Sequence, residues 1–187
     1  LASSAGREVA KSDQRRTGCR HDAEGPDGAV LVASHVSRQE GRLDYGNRRR
    51  GWCWQHFVQW AKALGAKVIG VVGSDTKVAL ARREGCKHVL VMGKDDLVAR
   101  VKEITKGVGV PVVYDSVGKE TFFAALDCLS PLGMMVTYGN ASGPPPLMSP
   151  MELAKRGSLF LTRPSLFAYI AKREDLDAAA KELFRAV

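Results

Sequence analysis

The chain has 187 residues, 45% of them hydrophobic and 26% charged, enough for one domain with a real core and short for two. No apolar run reaches the ~20 residues of a membrane-spanning helix, and residues 1–11 show no apolar stretch behind a basic start, so no secretory leader is expected and a cytoplasmic location is the default. The net charge of +8 suits a phosphorylated ligand or a nucleic acid, or serves solubility alone.

The chain changes character near Phe57. Before it, Arg, Ser, Gly and Asp dominate, and only Gly28-Ala29-Val30-Leu31-Val32-Ala33 reads as a buried strand. From Val58 onward short apolar runs alternate with helical patterns, the signature of a parallel sheet with crossover helices. Val58, Ala61 and Leu64 share one helical face, with Gly65 as C-cap. Lys67 to Val72 is a strand apolar on both faces, as a central parallel strand should be. Lys77 to Glu84 is a short helix closed by Gly85, and His88 to Met92 the next strand. Asp95 and Asp96 suit the positive end of a helix running to Thr105. Val110 to Asp115 is a strand, and Lys119 to Leu129 a helix with Phe122, Phe123, Leu126 and Leu129 facing inward. Gly133 to Tyr138 is a strand. Ser149 caps a short helix with Pro150 at its first position. Ser158 to Thr162 is the last strand, and helix resumes from Ser165, ending in Asp175 to Val187.

These patterns divide the chain into an irregular basic segment, 1–57, and an α/β domain, 58–187, of the Rossmann-like, doubly wound parallel-sheet class. Its first strand and its glycine-rich loop are doubtful. Cys19, Cys53, Cys86 and Cys128 lie far apart, without the spacing of a zinc knuckle or redox pair, and read as isolated thiols; no metal site is expected. The four histidines are scattered, and His88, opening a strand, reads as structural.

In an open parallel sheet, ligands bind beyond the carboxyl ends of the strands. After the Lys67–Val72 strand comes Gly73-Ser74-Asp75-Thr76-Lys77. An acid at the strand end accepts from a ribose 2′-hydroxyl and favours NAD, whereas hydroxyls and a cation suit the 2′-phosphate of NADP. The strand-end positions are Gly73 and Ser74, and Lys77 can place an ammonium over a phosphate, which favours NADP. Asp75 lies one step further along and keeps NAD open. Lys77 as a plain solvated lysine is the commoner fate by composition. The loops Asp115-Ser116-Val117-Gly118 and Gly139-Asn140-Ala141-Ser142-Gly143 are small and polar, allowing a ligand close to the backbone. The same residues also make ordinary turns.

Gln59-Trp60-Ala61-Lys62-Ala63-Leu64-Gly65-Ala66, Val113-Tyr114-Asp115-Ser116-Val117-Gly118, Tyr138-Gly139-Asn140-Ala141-Ser142-Gly143 and Leu161-Thr162-Arg163-Pro164-Ser165-Leu166 resemble the zinc-independent quinone oxidoreductases, the zeta-crystallin-like branch of the medium-chain dehydrogenase/reductase superfamily. The resemblance covers about two-thirds of the chain. It implies a domain that binds NADPH and passes hydride, or single electrons, to a small-molecule quinone. It implies Ser74 and Lys77 at the 2′-phosphate, with Gly73 beside them, and Ser116, Tyr138, Gly139 and Asn140 along the cofactor. It implies a homodimer through the strand at 158–162. The sequence departs from the family at Met92, where a tyrosine often stacks near the adenosine phosphate, and at Ala141, which replaces a serine.

The resemblance also implies parts that find no counterpart here: an N-terminal catalytic domain, a C-terminal return to it, and an Ala-Gly-Gly-Val-Gly type loop before the Gln-Trp-Ala-Lys helix. That loop's glycines would let the backbone cradle a pyrophosphate at a helix N-terminus. In its place stands Arg48-Arg49-Arg50-Gly51-Trp52-Cys53-Trp54-Gln55-His56-Phe57. Glycine codons begin with two guanines, and a glycine- and alanine-rich stretch read one base over yields Arg, Gly, Trp and Cys. Residues up to about His56 therefore read as an out-of-frame or disordered segment, with a genuine but unfamiliar N-terminal region as the alternative; an in-frame glycine loop upstream of Gln59 in the DNA is the check. Without a first strand from Val30-Leu31-Val32, the two halves of the sheet would have no partner between them and exposed edges would favour aggregation.

Three functions compete. The first is NADPH:quinone oxidoreductase, or a fragment with impaired or no activity alone. The second is a non-catalytic nucleotide-binding module that keeps the fold without the substrate domain. The third is nucleic-acid binding through Arg48-Arg49-Arg50 beside Trp52 and Trp54, since aromatics next to cations can stack bases. Acidic residues are interspersed throughout and no nucleic-acid motif occurs, so the third is set aside.

Overall fold

A computed structural model describes residues 29–33 and 52–186. Its six strands form one parallel sheet: β1 (Ala29–Ala33), β2 (Lys67–Val72), β3 (His88–Val91), β4 (Val110–Asp115), β5 (Leu129–Thr137) and β6 (Phe160–Thr162), in the spatial order β3-β2-β1-β4-β5-β6. The crossover helices are α1 (Trp52–Ala63), α2 (Val78–Glu84), α3 (Leu97–Ile104), α4 (Phe122–Asp127) and α5 (Met151–Lys155), followed by α6 (Leu166–Tyr169) and α7 (Arg173–Ala186). This is the doubly wound dinucleotide-fold order.

The doubt over the first strand is resolved in favour of the apolar run at Val30-Leu31-Val32. Ala29–Ala33 lies at the centre, pairing Val30 with Val68 of β2 and Leu31 with Val113 of β4. The reason is its composition: Ala-Val-Leu-Val-Ala is an unbroken apolar run, as the strands of parallel sheets commonly are. The sheet thus recruits residues from the segment before residue 58. Of the stretch 48–57 that stands in place of the glycine loop, residues 52–57 form the start of α1 and the rest lies outside the described residues, as do most of the N-terminal residues read as out of frame.

The two-faced apolar pattern of β2 has a direct counterpart in packing. Its residues alternate between two cores, Ile69 and Val71 facing one and Val68 and Val72 the other. The first core adds Leu90, Val101, Val110, Val113, Phe122, Leu126, Met135 and Leu159. The second adds Trp54, Val58, Ala81, Cys86 and Val91 beneath α1 and α2. Each fully buried side chain of this size contributes roughly 1.5–3 kcal/mol relative to exposure. Gly70 makes room on the second face. A side chain starting there would stand 2.7 Å from the Cys86 sulfur and 3.6 Å from the Trp54 ring.

Several boundaries shift for local reasons. α1 ends at Ala63, so Leu64 lies past the helix and is 66% exposed rather than facing inward. Gly65 is the expected C-cap: its φ is +85°, its amide donates to Lys62 O at 2.9 Å, and the Ala66 amide donates to Ala61 O. Asp96 caps α3 by accepting from the Ala99 amide at 3.0 Å, while Asp95 turns back to accept from Val91 N at 2.7 Å. α4 is six residues long, and its buried stripe is Phe122, Ala125 and Leu126. Phe123 lies about 100° round the helix from Phe122. It is 40% exposed, edge-on to Phe122 and under the Arg156 guanidinium, which corrects the expectation that it faces inward. Leu129 is buried as expected, but as the first residue of β5.

Candidate functional site

Because all six strands run parallel, the loops after β2, β3, β4, β5 and β6 emerge along one edge of the sheet. The residues that follow β1 lie outside the described ones. The sequence-derived residues fall into two groups on this edge. Gly73, Ser74 and Lys77 follow β2, while Ser116, Tyr138, Gly139 and Asn140 follow β4 and β5.

The second group is brought together by a backbone zipper. Tyr138 N donates to Asp115 O at 2.9 Å, Ala141 N to Ser116 O at 3.3 Å, and Ser142 N to Val117 O at 2.8 Å. In the opposite direction Lys119 N donates to Gly143 O at 3.1 Å, and Glu120 N to the Ser142 hydroxyl at 3.0 Å. Two glycines permit the approach. A side chain on Gly139 would collide with the Ser116 backbone, and one on Gly118 with the Gly143 carbonyl.

Asp115 anchors this zipper and was missed as a functional residue by sequence reasoning. It is fully buried at the end of β4. Its carboxylate accepts from Val117 N and the Thr121 hydroxyl, both at 2.9 Å, and from Gly118 N at 3.2 Å. Burial pushes its pKa above the ordinary aspartate value, opposed by those hydrogen bonds and by the charge of Arg163. The signal was legible: Asp followed by a Gly-containing turn is the pattern of a side chain bonding its own downstream backbone. Arg163, also unassigned from sequence, follows β6 and reaches back across the edge. Its guanidinium donates to Asn140 Oδ1 at 3.1 Å and to Thr137 O at 3.4 Å.

At the first group, Ser74 and Thr76 hydroxyls lie 2.9 Å apart, and Lys77 closes the 3-10 turn Asp75–Lys77 with its amide donating to Ser74 O. Asp75 is engaged by the Lys94 ammonium from the loop after β3. A cavity of about 140 Å³ is lined by Val71, Leu90, Met92, Leu97, Thr121 and Ala124, together with the acidic residues Asp95 and Glu120; none of residues 73–77 lines it. The hydroxyls of Ser74 and Thr76 with the ammonium groups of Lys77 and Lys94 make a donor set that fits a phosphate. Among the described residues, no three His, Cys, Asp or Glu side chains are grouped as a metal site would need, and no helix is long and apolar enough to cross a membrane. His88 is half-buried, and its pKa is held below the ordinary histidine value by burial and then by Lys87 and Arg100.

Residues 55–185 match the sequence model of the zinc-binding dehydrogenase family. The chain belongs to that family. Within it, a quinone oxidoreductase of Salmonella typhimurium is 54% identical over 126 residues, which are 67% of this chain and 38% of the relative. A 2-haloacrylate reductase of Burkholderia is 48% identical over 132 residues, 70% of this chain and 40% of the relative. The solved structure of Escherichia coli quinone oxidoreductase complexed with NADPH superposes with a TM-score of 0.73 at 42% identity, covering 87% of this chain and 45% of that one. The chain thus spans about two-fifths of the length of the curated relatives it matches. The resemblance read from the motifs holds: this zinc-binding dehydrogenase family member is similar to the quinone oxidoreductases.

Proposed function

We propose that residues 58–187, with the central strand Ala29–Ala33, form the NADPH-binding domain of an NADPH:quinone oxidoreductase acting on a small-molecule quinone. One observation carries the reading. Hydroxyl, ammonium and backbone groups converge on the carboxyl edge of a sheet in dinucleotide-fold order, in a chain 42% identical to a quinone oxidoreductase solved with NADPH. When bound, NADPH supplies the hydride; the chain's residues supply position. Ser74 and Lys77 hold the 2′-phosphate, and Gly73 leaves the backbone accessible beside them. Ser116, Tyr138, Gly139 and Asn140 lie along the cofactor, on loops kept in register by Asp115 and Arg163.

The similarity to a 2-haloacrylate reductase supports an electron-poor carbon–carbon double bond conjugated to a carbonyl or carboxylate as a related substrate type. The same reading carries a homodimer through residues 158–162. β6 is an edge strand whose Phe160 and Leu161 are 55% and 37% exposed, and an uncovered apolar edge invites pairing. Phe160→Glu should then turn a dimer into a monomer in light scattering; a native monomer rules out this assembly. Cytoplasmic residence belongs to the same proposal.

The test is a thermal melt of the full chain with NADPH or NADH, followed by a quinone-reduction assay. Ligand that binds only the folded state must raise the midpoint. A larger rise with NADPH, together with quinone-dependent NADPH oxidation, supports the oxidoreductase. A rise without turnover supports the non-catalytic nucleotide-binding module. No rise with either nucleotide overturns both.

A further inference from the structure

We propose that Lys94 is a second cation for the 2′-phosphate, and that its ion pair with Asp75 sets the chain's preference for NADPH over NADH. The inference rests on the nucleotide-binding reading above and names how that site would discriminate.

Asp75 is the residue that argues against a phosphate. A carboxylate near the end of this strand accepts from a ribose 2′-hydroxyl and repels a 2′-phosphate, which carries close to two negative charges near neutral pH. Lys94 answers it. The loop bearing Lys94 is fastened to the end of β2, where Met92 N donates to Val72 O at 2.9 Å. It is fastened again to its own strand: Lys94 N and Asp95 N both donate to Val91 O, and Val91 N donates to Asp95 Oδ2 at 2.7 Å. A lysine on this braced turn reaches across two neighbouring strand ends to the Asp75 carboxylate.

The pair's side chains are 65% and 62% exposed, so it contributes little to stability. Its effect is on local charge. The ammonium of Lys94 offsets the Asp75 carboxylate beside the hydroxyls of Ser74 and Thr76. Met92, two residues before Lys94, has no polar donor on its side chain to offer a phosphate. The ammonium of Lys94 is the group that gives this loop phosphate affinity.

Isothermal titration of the full chain with NADPH and with NADH tests this on two variants. Both sites are exposed, so circular dichroism should report an intact fold for each. Lys94→Ala should lower the ratio of NADPH to NADH affinity about tenfold, the order expected for losing one charge-assisted contact. Asp75→Asn should raise the same ratio, because the acceptor for the 2′-hydroxyl is lost and the repulsion removed. A lysine that merely braced the loop would weaken both nucleotides equally, and that outcome overturns the proposal while leaving the nucleotide site standing. Unchanged ratios in both variants do the same. An unaltered chain that binds neither nucleotide removes the nucleotide-binding reading and this proposal with it.

Discussion

The Cα and carbonyl carbon of Ser116 lie 2.5 Å from the point where a side chain on Gly139 would begin. The loops after β4 and β5 are therefore in backbone contact, and each fixes the position of the other. A methyl group at residue 139 must move one strand end away from the next. Gly139→Ala should destabilise the chain by about 3 kcal/mol, the upper part of the range for inserting atoms into a packed site. Urea unfolding measures it; a loss under about 1 kcal/mol, ordinary for an unremarkable surface position, would show that the loops separate easily.

Asp115 holds the same zipper from below. Truncating it to Ala strips acceptors from the buried Val117 and Gly118 amides and the Thr121 hydroxyl. The expected loss is about 3 kcal/mol, since each buried donor left without a partner costs roughly 1–3 kcal/mol and partial rearrangement recovers some of it.

The pH dependence of Asp115 has a definite sign. Its folded pKa is raised, chiefly by burial, so between the unfolded aspartate value of about 3.9 and the higher folded value the native state binds more protons than the unfolded one. Stability from this group falls as pH rises through that window and is flat above it. Asp115→Asn should remove that component of the slope, visible as a difference between the two proteins' melting-temperature profiles across the acid range. Parallel profiles would contradict the raised pKa.

Arg163 spans from β6 to the Asn140 side chain and the Thr137 carbonyl. It is exposed, so Arg163→Ala should cost under about 1 kcal/mol of stability. Under the proposed function it should weaken NADPH binding roughly fivefold by freeing the 138–143 loop, the effect of about one hydrogen bond. Titration calorimetry reads this directly, and unchanged affinity would separate the loop from the cofactor site.

Cys86 and Cys128 are buried, and their thiols are pushed up to about 12, by burial first in both and then by Glu84 and Asp127 respectively. The thiolate is the reactive form. Neither residue should be alkylated by iodoacetamide at pH 8 in the native chain, and both should be after denaturation, as mapped by mass spectrometry. Labelling of either in the native state would mean that its core opens readily.

Much of the sheet was legible because its strands are short apolar runs between turn residues, and burial on both faces leaves no alternative for Lys67–Val72 or Val110–Asp115. Gly65 was readable as a cap, and Asp95 and Asp96 as acids at a helix N-terminus, because helix ends are a local matter; that Asp96 is the one that caps was shown by the structure. The loops after β2, β4 and β5 could be singled out as a site for the same reason: position after a strand and small polar residues are properties of the sequence itself.

What joins those loops was decided only in three dimensions. Ala29–Ala33 was ambiguous as five apolar residues in a polar segment, and became the central strand through pairing with partners 38 and 82 residues away at Ala29–Lys67 and Val30–Val112. Leu64 fell outside the core because its helix ends at Ala63, and Phe123 because it sits about 100° round its helix from the buried Phe122. The Lys94–Asp75 pair and the reach of Arg163 depend on which strand ends are neighbours. Strand order is set by long-range packing of the whole sheet, and no window of sequence contains it.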